Sequence, residues 1–275
     1  MPDSSQVQPA AFNCEGGLVL NRSSFLMQPG EALVLENFEP DVEGGYRRMN
    51  GFRKFVNHIV PQTSAASERV IGVANFANKV VAARGERIYN AASTELATAI
   101  TSSETMSGSG IIKVDSVTGF TSSGTVQIES EIFTYTGISS TVSPNELTGV
   151  TRATSSTSAA AHLGNVVVST SWTQIDTGRT NANKYRFERF NYNGTDKIIF
   201  VDEVNAPVVF DSSFNAVDVS NSAVSGSKFI ASFKDHMFYA GKSTTPEEVV
   251  FSVPFDEDNF GSGAGSIRVD DTITG

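Results

Sequence analysis

The chain has 275 residues, a formal net charge of −10, 39% apolar residues and a single cysteine. That length accommodates one large or two modest domains, while a lone Cys14 excludes a disulfide framework and the spaced cysteine pairs of a zinc or redox centre. No run approaches the roughly 18 apolar residues of a membrane span, the opening MPDSSQVQPAAFN lacks the basic start and apolar stretch of a secretion signal, and the acidic balance disfavours nucleic acid, so the sequence reads as soluble with no sequence-specific nucleic-acid binding.

Residues 1–11 read as a polar tail. From Phe12 to Phe55, turn signals at Gly16-Gly17, Pro29-Gly30, Gly44-Gly45 and Asn50-Gly51 separate short apolar pieces, so 1–69 is expected to be a tail and extended arm. Only Glu31 to Asn37 has the composition for a helical turn or two. From Val70 the pattern becomes regular: VIGVANFANKVVAARGERIYNAA reads as three short strands joined by tight turns. Abundant Val, Phe, Ser and Thr suit pleated, half-buried surfaces, which makes the expected class all-β.

A comparable unit returns at 185–213 and again at 227–254. In each, an aromatic (Phe76, Tyr192, Phe233) precedes a polar turn, and an apolar strand follows, opened by Lys79, Lys197 or His236. Tyr192 to Phe233 and Phe210 to Phe251 are both 41 residues apart. A period of about 40–45 residues with several short antiparallel strands per unit is that of a β-propeller blade; the alternative is a β-sandwich whose similar hairpins mimic a repeat. The first two units stand too far apart for that period, and between Ile100 and Ser169 the composition turns to Ser, Thr and Gly. There, Thr125 to Glu129 and Glu131 to Tyr135 alternate around a tight turn as a β-hairpin. The expected division is therefore arm 1–69, part of a first blade 70–103, an inserted small β domain 104–168, and the rest of that blade with two more over 169–275. SWTQIDTG (171–178) is expected to be the first blade's outermost strand, with Trp172 and Ile175 packed on its neighbour.

Chemistry is thinly supplied. His58, His162 and His236 fall in three different segments and read as surface or strand-end groups, and no nucleophile elbow, P-loop, dinucleotide fingerprint or zincin helix occurs. Asp256-Glu257-Asp258 raises a calcium question, but an EF-hand register puts Phe260 and Ile267 where ligands belong, so the run reads as a solvated loop. Glu129 and Glu131 read as outward-pointing. No cofactor or metal is expected. Tyr46, Arg47, Arg48, Phe52, Arg53 and Lys54 form the one cluster of basic residues interleaved with aromatics. It suits an acidic neighbouring subunit better than single-stranded nucleic acid or a glycan, because no second basic stripe reinforces it.

The opening FNCEGGLVLNRSSFLMQPGEALVLENFEPDVEGGYRRMNGF resembles the N-terminal signature of bacteriophage tail structural proteins. KVVAARGERIYN, KYRFERFNYNGTDKIIFVDEVNAPVVFD and KFIASFKDHMFYAGKSTTPEEVVFSVPFDEDNF are similar to the propeller-forming blades of that group, which includes tail-tube, nozzle and hub-like components. GTVQIESEIFTYTG, LTGVTRA and AAH are similar to small β modules of phage virion proteins. The resemblance implies a virion structural protein of the tail, made in the host cytoplasm, without enzymatic activity, contacting copies of itself and other tail proteins in a ring. The competing reading is a module that binds a host-surface glycan, with Tyr135 and Trp172 as first contacts; a hydrolase is the weakest. Three units are short of the four or more blades that close a propeller. Either the sequence is the N-terminal part of a longer relative, or another chain completes closure, or a neighbour covers the edges of an open array.

Overall fold

The computed structural model describes residues 16–20, 23–28, 30–40, 46–49, 51, 54–62, 68–180 and 183–269. They fall into two compact units, Met1–Arg53 and Lys54–Gly275.

In the first unit, Gly17–Leu18 runs parallel to Glu31–Ala32, and Phe38–Pro40 runs antiparallel to Tyr46–Arg48. Gly17, at φ 69°, lies so close to the Tyr46 ring that a Cβ would sit 2.9 Å from it. Only glycine tolerates both the conformation and the approach. The helical turn expected within Glu31 to Asn37 does not form, because Glu31 and Ala32 are engaged in the parallel ladder and Asn37 is left-handed at φ 62°. Among the described residues the one helical turn is a 3-10 turn at Ser24–Leu26.

The second unit contains three four-stranded antiparallel meanders. The first blade comprises Val70–Phe76, Lys79–Arg84, Arg87–Ala91 and Thr173–Asp176; the second, Arg186–Tyr192, Thr195–Val201, Val208–Asp211 and Ala216–Asp218. Phe229–Phe233, His236–Lys242, Thr245–Phe251 and Gly265–Arg268 make the third. The opening hairpin of every blade closes on two residues of positive φ, Ala77-Asn78, Asn193-Gly194 and Lys234-Asp235. That is the turn whose twist matches paired strands, and it explains the Asn, Gly and Asp found at these points. The fold is all-β and propeller-like, as expected.

Blades stack face to face. Phe76, Val81 and Ile88 of the first pack on Ile198, Phe200 and Phe210 of the second, and Phe190, Tyr192 and Ile199 of the second pack with Met237 and Tyr239 of the third. Ile198 to Val201 is therefore buried on both faces, which is why it is a continuous apolar run. Arg179 clamps the first pair: it is ion-paired with Asp176, donates to the Ala206 carbonyl at 2.6 Å and to Asp218 at 2.6 Å. One landmark of the 41-residue repeat shifts in space. Ile198 pairs with Phe210 but its counterpart Tyr239 pairs with Val250, because a tight, bulged Lys242–Thr245 hairpin replaces the longer 202–207 connection. A slip of one residue turns Phe251 to the opposite face of its sheet.

Between the third and fourth strands of the first blade lies a seven-stranded sheet, running from Ser93–Glu95 to Val167–Thr170, around its own core of Leu96, Ile112, Val126, Ile128, Phe133, Leu147 and Val168. It starts at residue 93, ahead of the boundary at 104 drawn from composition, because Ser93–Glu95 pairs with the returning strand and not with the blade. The segment from Lys54 to Gln62, assigned to the arm from sequence, belongs to this second unit. Asn57 donates its backbone N–H to Ser169 Oγ at 2.9 Å and its side-chain amide to the carbonyls of Gln127 at 3.0 Å and Val167 at 2.8 Å. His58 O accepts from Trp172 Nε1 at 3.0 Å, and Val60 O accepts from Arg84. The segment thus ties the inserted sheet to the first blade. Asn57→Ala, which removes two of these bonds, is expected to cost about 1–3 kcal/mol; denaturant titration measures it, and limited proteolysis near Lys54 should speed up in parallel.

Candidate functional site

Alternation along Glu131 to Tyr135 puts Glu131 on the same face as Phe133 and Tyr135, and that face is buried. Glu131 is therefore not outward-pointing. Its carboxylate accepts from Arg152 Nε and Nη2, both at 2.9 Å, and from the Ala160 N–H at 2.9 Å. His162, buried and not a surface group, places Nε2 2.9 Å from Glu131 and Nδ1 2.8 Å from Glu129. Burial alone would raise the Glu131 pKa, but hydrogen bonds from Arg152, Ala160 and His162 with the Arg152 charge bring it to about 2. The remaining Arg152 hydrogens go to the carbonyls of Thr101, Glu104 and Ala160. Every member has partners, and the side chains are shut from solvent except Glu129. This is a structural knot holding the module's loops.

The open constellation lies where the second blade meets the loop before the third blade's last strand. A cleft of ≈ 340 Å³ has a floor of Val209, Val217 and Val219 and walls of Lys197, Asp211, Asn215 and the triplet Asp256-Glu257-Asp258. Lys197 Nζ is 2.6 Å from Glu257 Oε1. Glu257 is further fixed through its carbonyl, which accepts from Tyr239 Oη at 2.7 Å. The triplet is thus not merely a solvated loop: its middle member is buried and ion-paired across the blades. Asp211 closes its own turn, accepting from the N–H groups of Ser213 and Asn215 and from the Asn215 side chain at 2.7–2.9 Å. Burial would raise the Asp211 pKa, but these bonds and the Lys197 charge hold it below the usual carboxylate range. Asp258 goes the other way, raised by burial and then by repulsion from Asp256 and Glu257. Phe255, immediately before the triplet and at φ 61°, is 48% exposed.

The residues singled out from sequence lie elsewhere. Tyr135 is 2% exposed and its hydroxyl donates to the Thr121 carbonyl, so it offers no platform to a sugar. Trp172 is half-buried and fastens His58. Arg47 pairs with Glu39 at 2.9 Å in the exposed hairpin of the first unit, next to Tyr46 and an exposed Arg48. Lys54 is the first residue of the second unit, and Phe52 and Arg53 lie outside the described residues. Sequence marks Lys197 only as the opener of the apolar run IIFV and gives Asp211 no role, although a lysine heading an apolar run and an aspartate opening DSSFN are both visible signals. No group of three or more His, Cys, Asp or Glu side chains among the described residues is arranged to hold a metal ion, and none of the described helices is long and apolar enough to cross a membrane.

No protein-family model matches the chain, and no curated protein matches it either. Among solved structures it is similar to the Phage phi92 endosialidase, at 12% identity over 73% of this chain, with a TM-score of 0.35. The match spans 37% of that chain's length. Its title is that of an enzyme, and the expectation that the present chain has no enzymatic activity is corrected accordingly: a sequence without a familiar catalytic motif does not establish inactivity.

Proposed function

We propose that this chain is a bacteriophage tail protein that holds a neutral host-surface glycan in the cleft between its second and third blades. The tail assignment is supported by the collinear motifs of the arm, blades and inserted module, and it carries with it a place in the virion among other tail subunits. The glycan assignment is carried by the cleft. Carboxylates at Asp211, Asp256 and Asp258 accept hydrogen bonds, the Asn215 amide both donates and accepts, and the valine floor takes the apolar face of a sugar ring. A ring of hydroxyls matches that set. An anionic sugar meets three carboxylates beyond the one Lys197 neutralises, on a chain of net charge −10, and is repelled.

Titration with neutral and sialylated oligosaccharides tests this directly. The neutral series is expected to bind, and Asp258→Asn with Asp256→Ala to weaken it tenfold or more, each lost charge-assisted bond being worth about 1.5–3 kcal/mol. Equal affinity for the anionic series, or neutral binding untouched by the pair of substitutions, would sink the assignment. Product analysis of the same mixtures reads any hydrolysis.

A further inference from the structure

The two interfaces between blades share one device. Phe76, at the end of the first blade's first strand, pairs with Lys79 across the turn, and its ring is met edge-on by Phe214 of the second blade, centroids 5.7 Å apart at 79°. Tyr192 occupies the same register in the second blade, pairing with Thr195, and is met by Phe255 of the third at 6.3 Å and 80°. Phe214 and Phe255 both come from the connection between a blade's third and fourth strands, both at positive φ, 65° and 61°. They lie 41 residues apart, the repeat length, although the sequence landmarks did not include them. Each blade thus caps the terminal aromatic of the blade before it, leaving Phe76 2% and Tyr192 7% exposed.

Phe233 is the third member of the series, pairing with His236, and among the described residues no ring from a following blade caps it: it is 61% exposed, with only the Lys234 ammonium 5.5 Å over its ring. The sheet behind it is apolar. Register places Phe229, Phe238, Phe251 and Ile267 on the same face as Phe233. Phe229 and Ile267 are each about half exposed, at 50% and 52%. At matching ladder positions of the second blade, Ile199 and Val209, the counterparts of Ala240 and Val249, are 0% and 6% exposed under the third blade, while Val217, the counterpart of Ile267, is 59% exposed. Contiguous apolar surface of this kind marks an interaction site.

We infer that this face receives a further four-stranded antiparallel blade, whose connection between third and fourth strands lays an aromatic ring against Phe233. The argument is continuity: the same interface occurs twice within the chain and its receiving half is presented a third time. A second copy does not fit as the donor. On the first blade's face that would have to pack here, Ala82, Tyr89 and Ala91 are already buried at 1%, 3% and 1%, and only the edge strand is open, Val73 being 58% exposed.

The probe is the chain's own third blade. A second copy of residues 227–269 is appended after Val269 of the otherwise unaltered chain, and amide exchange is followed across Phe229–Phe233 and His236–Lys242. Slowing by tenfold or more in both strands is expected, with partial loss when the appended copy's equivalent of Phe255 is alanine. Unchanged exchange, or an appended copy that is itself unprotected, overturns the inference. Sedimentation of the parent chain tests the donor: a monomer at working concentrations is expected, and a dimer abolished by Phe233→Asp would assign the face to a second copy and overturn it.

Discussion

Arg152→Met is expected to destabilise the inserted module by about 3–5 kcal/mol and to make it melt before the blades, because it strands the Glu131 carboxylate inside the sheet with one cation fewer. The guanidinium gives that carboxylate two bonds and sends its other hydrogens to three loop carbonyls, so the loss reaches the 101–104 and 152–160 connections together. Removing both charges costs less than removing one, and Glu131→Gln combined with Arg152→Met should recover part of the loss. The knot also sets a pH dependence. The folded Glu131 pKa of about 2 lies below its ordinary 4.5, so its contribution is complete above the latter value and falls away as pH drops toward the former. Calorimetry from pH 7 to pH 2 on parent and variant checks both statements. A variant that melts within 1 kcal/mol of the parent, roughly the scatter of ordinary surface substitutions, would show that the network is ornamental.

Phe200→Ala should be comparably severe, about 3–5 kcal/mol, and should fall on the blades instead of the module. The Phe200 ring lies edge-on between Phe187, 4.7 Å away at 88°, and Phe210, 5.1 Å away at 72°, at the heart of the interface between the first and second blades. The rings on either side of Phe200 are held by their own strands and cannot collapse into the space it leaves, so a cavity persists. Denaturant titration provides the measurement, with Phe233→Ala as its internal contrast: that ring is 61% exposed and its truncation should change stability by about 0.5 kcal/mol or less. If the two substitutions cost the same, the stacked arrangement of the blades is wrong.

The blades were legible because two-residue turns and period-two alternation are local properties; the turn residues after Phe76, Tyr192 or Phe233, Asn78, Asn193-Gly194 and Asp235 among them, mark each opening hairpin without knowledge of the rest. The cores between blades were half legible. The run Ile198 to Val201 announced burial on both faces, whereas the one-residue slip at Phe251 depends on a hairpin length that no landmark residue records. Glu131 shows a different limit. Its alternation with Phe133 and Tyr135 pointed inward, but chemical habit sends a carboxylate to the surface, and the compensating Arg152 and His162 lie 21 and 31 residues away. The cleft was the least legible, because Glu257 meets Lys197 and Asp211, cross-strand partners in the second blade, only through the stacking of two blades. Tyr135 and Trp172 fail as sugar platforms for the converse reason: large aromatics are as useful for filling a core or fastening a segment as for facing a ligand.

At the root of the inserted sheet, Ala92 and Thr170 bond in both directions, Ala92 N–H to the Thr170 side-chain Oγ1 and Thr170 N–H to the Ala92 carbonyl, each at 2.9 Å, so the strand that leaves the first blade and the strand that returns to it are joined at the base. The blade therefore presents two adjacent ends, spaced as a hairpin would space them, whatever lies beyond. A segment that begins and finishes at those ends can be lengthened, shortened or replaced while the register of the blade strands on either side stays as it was.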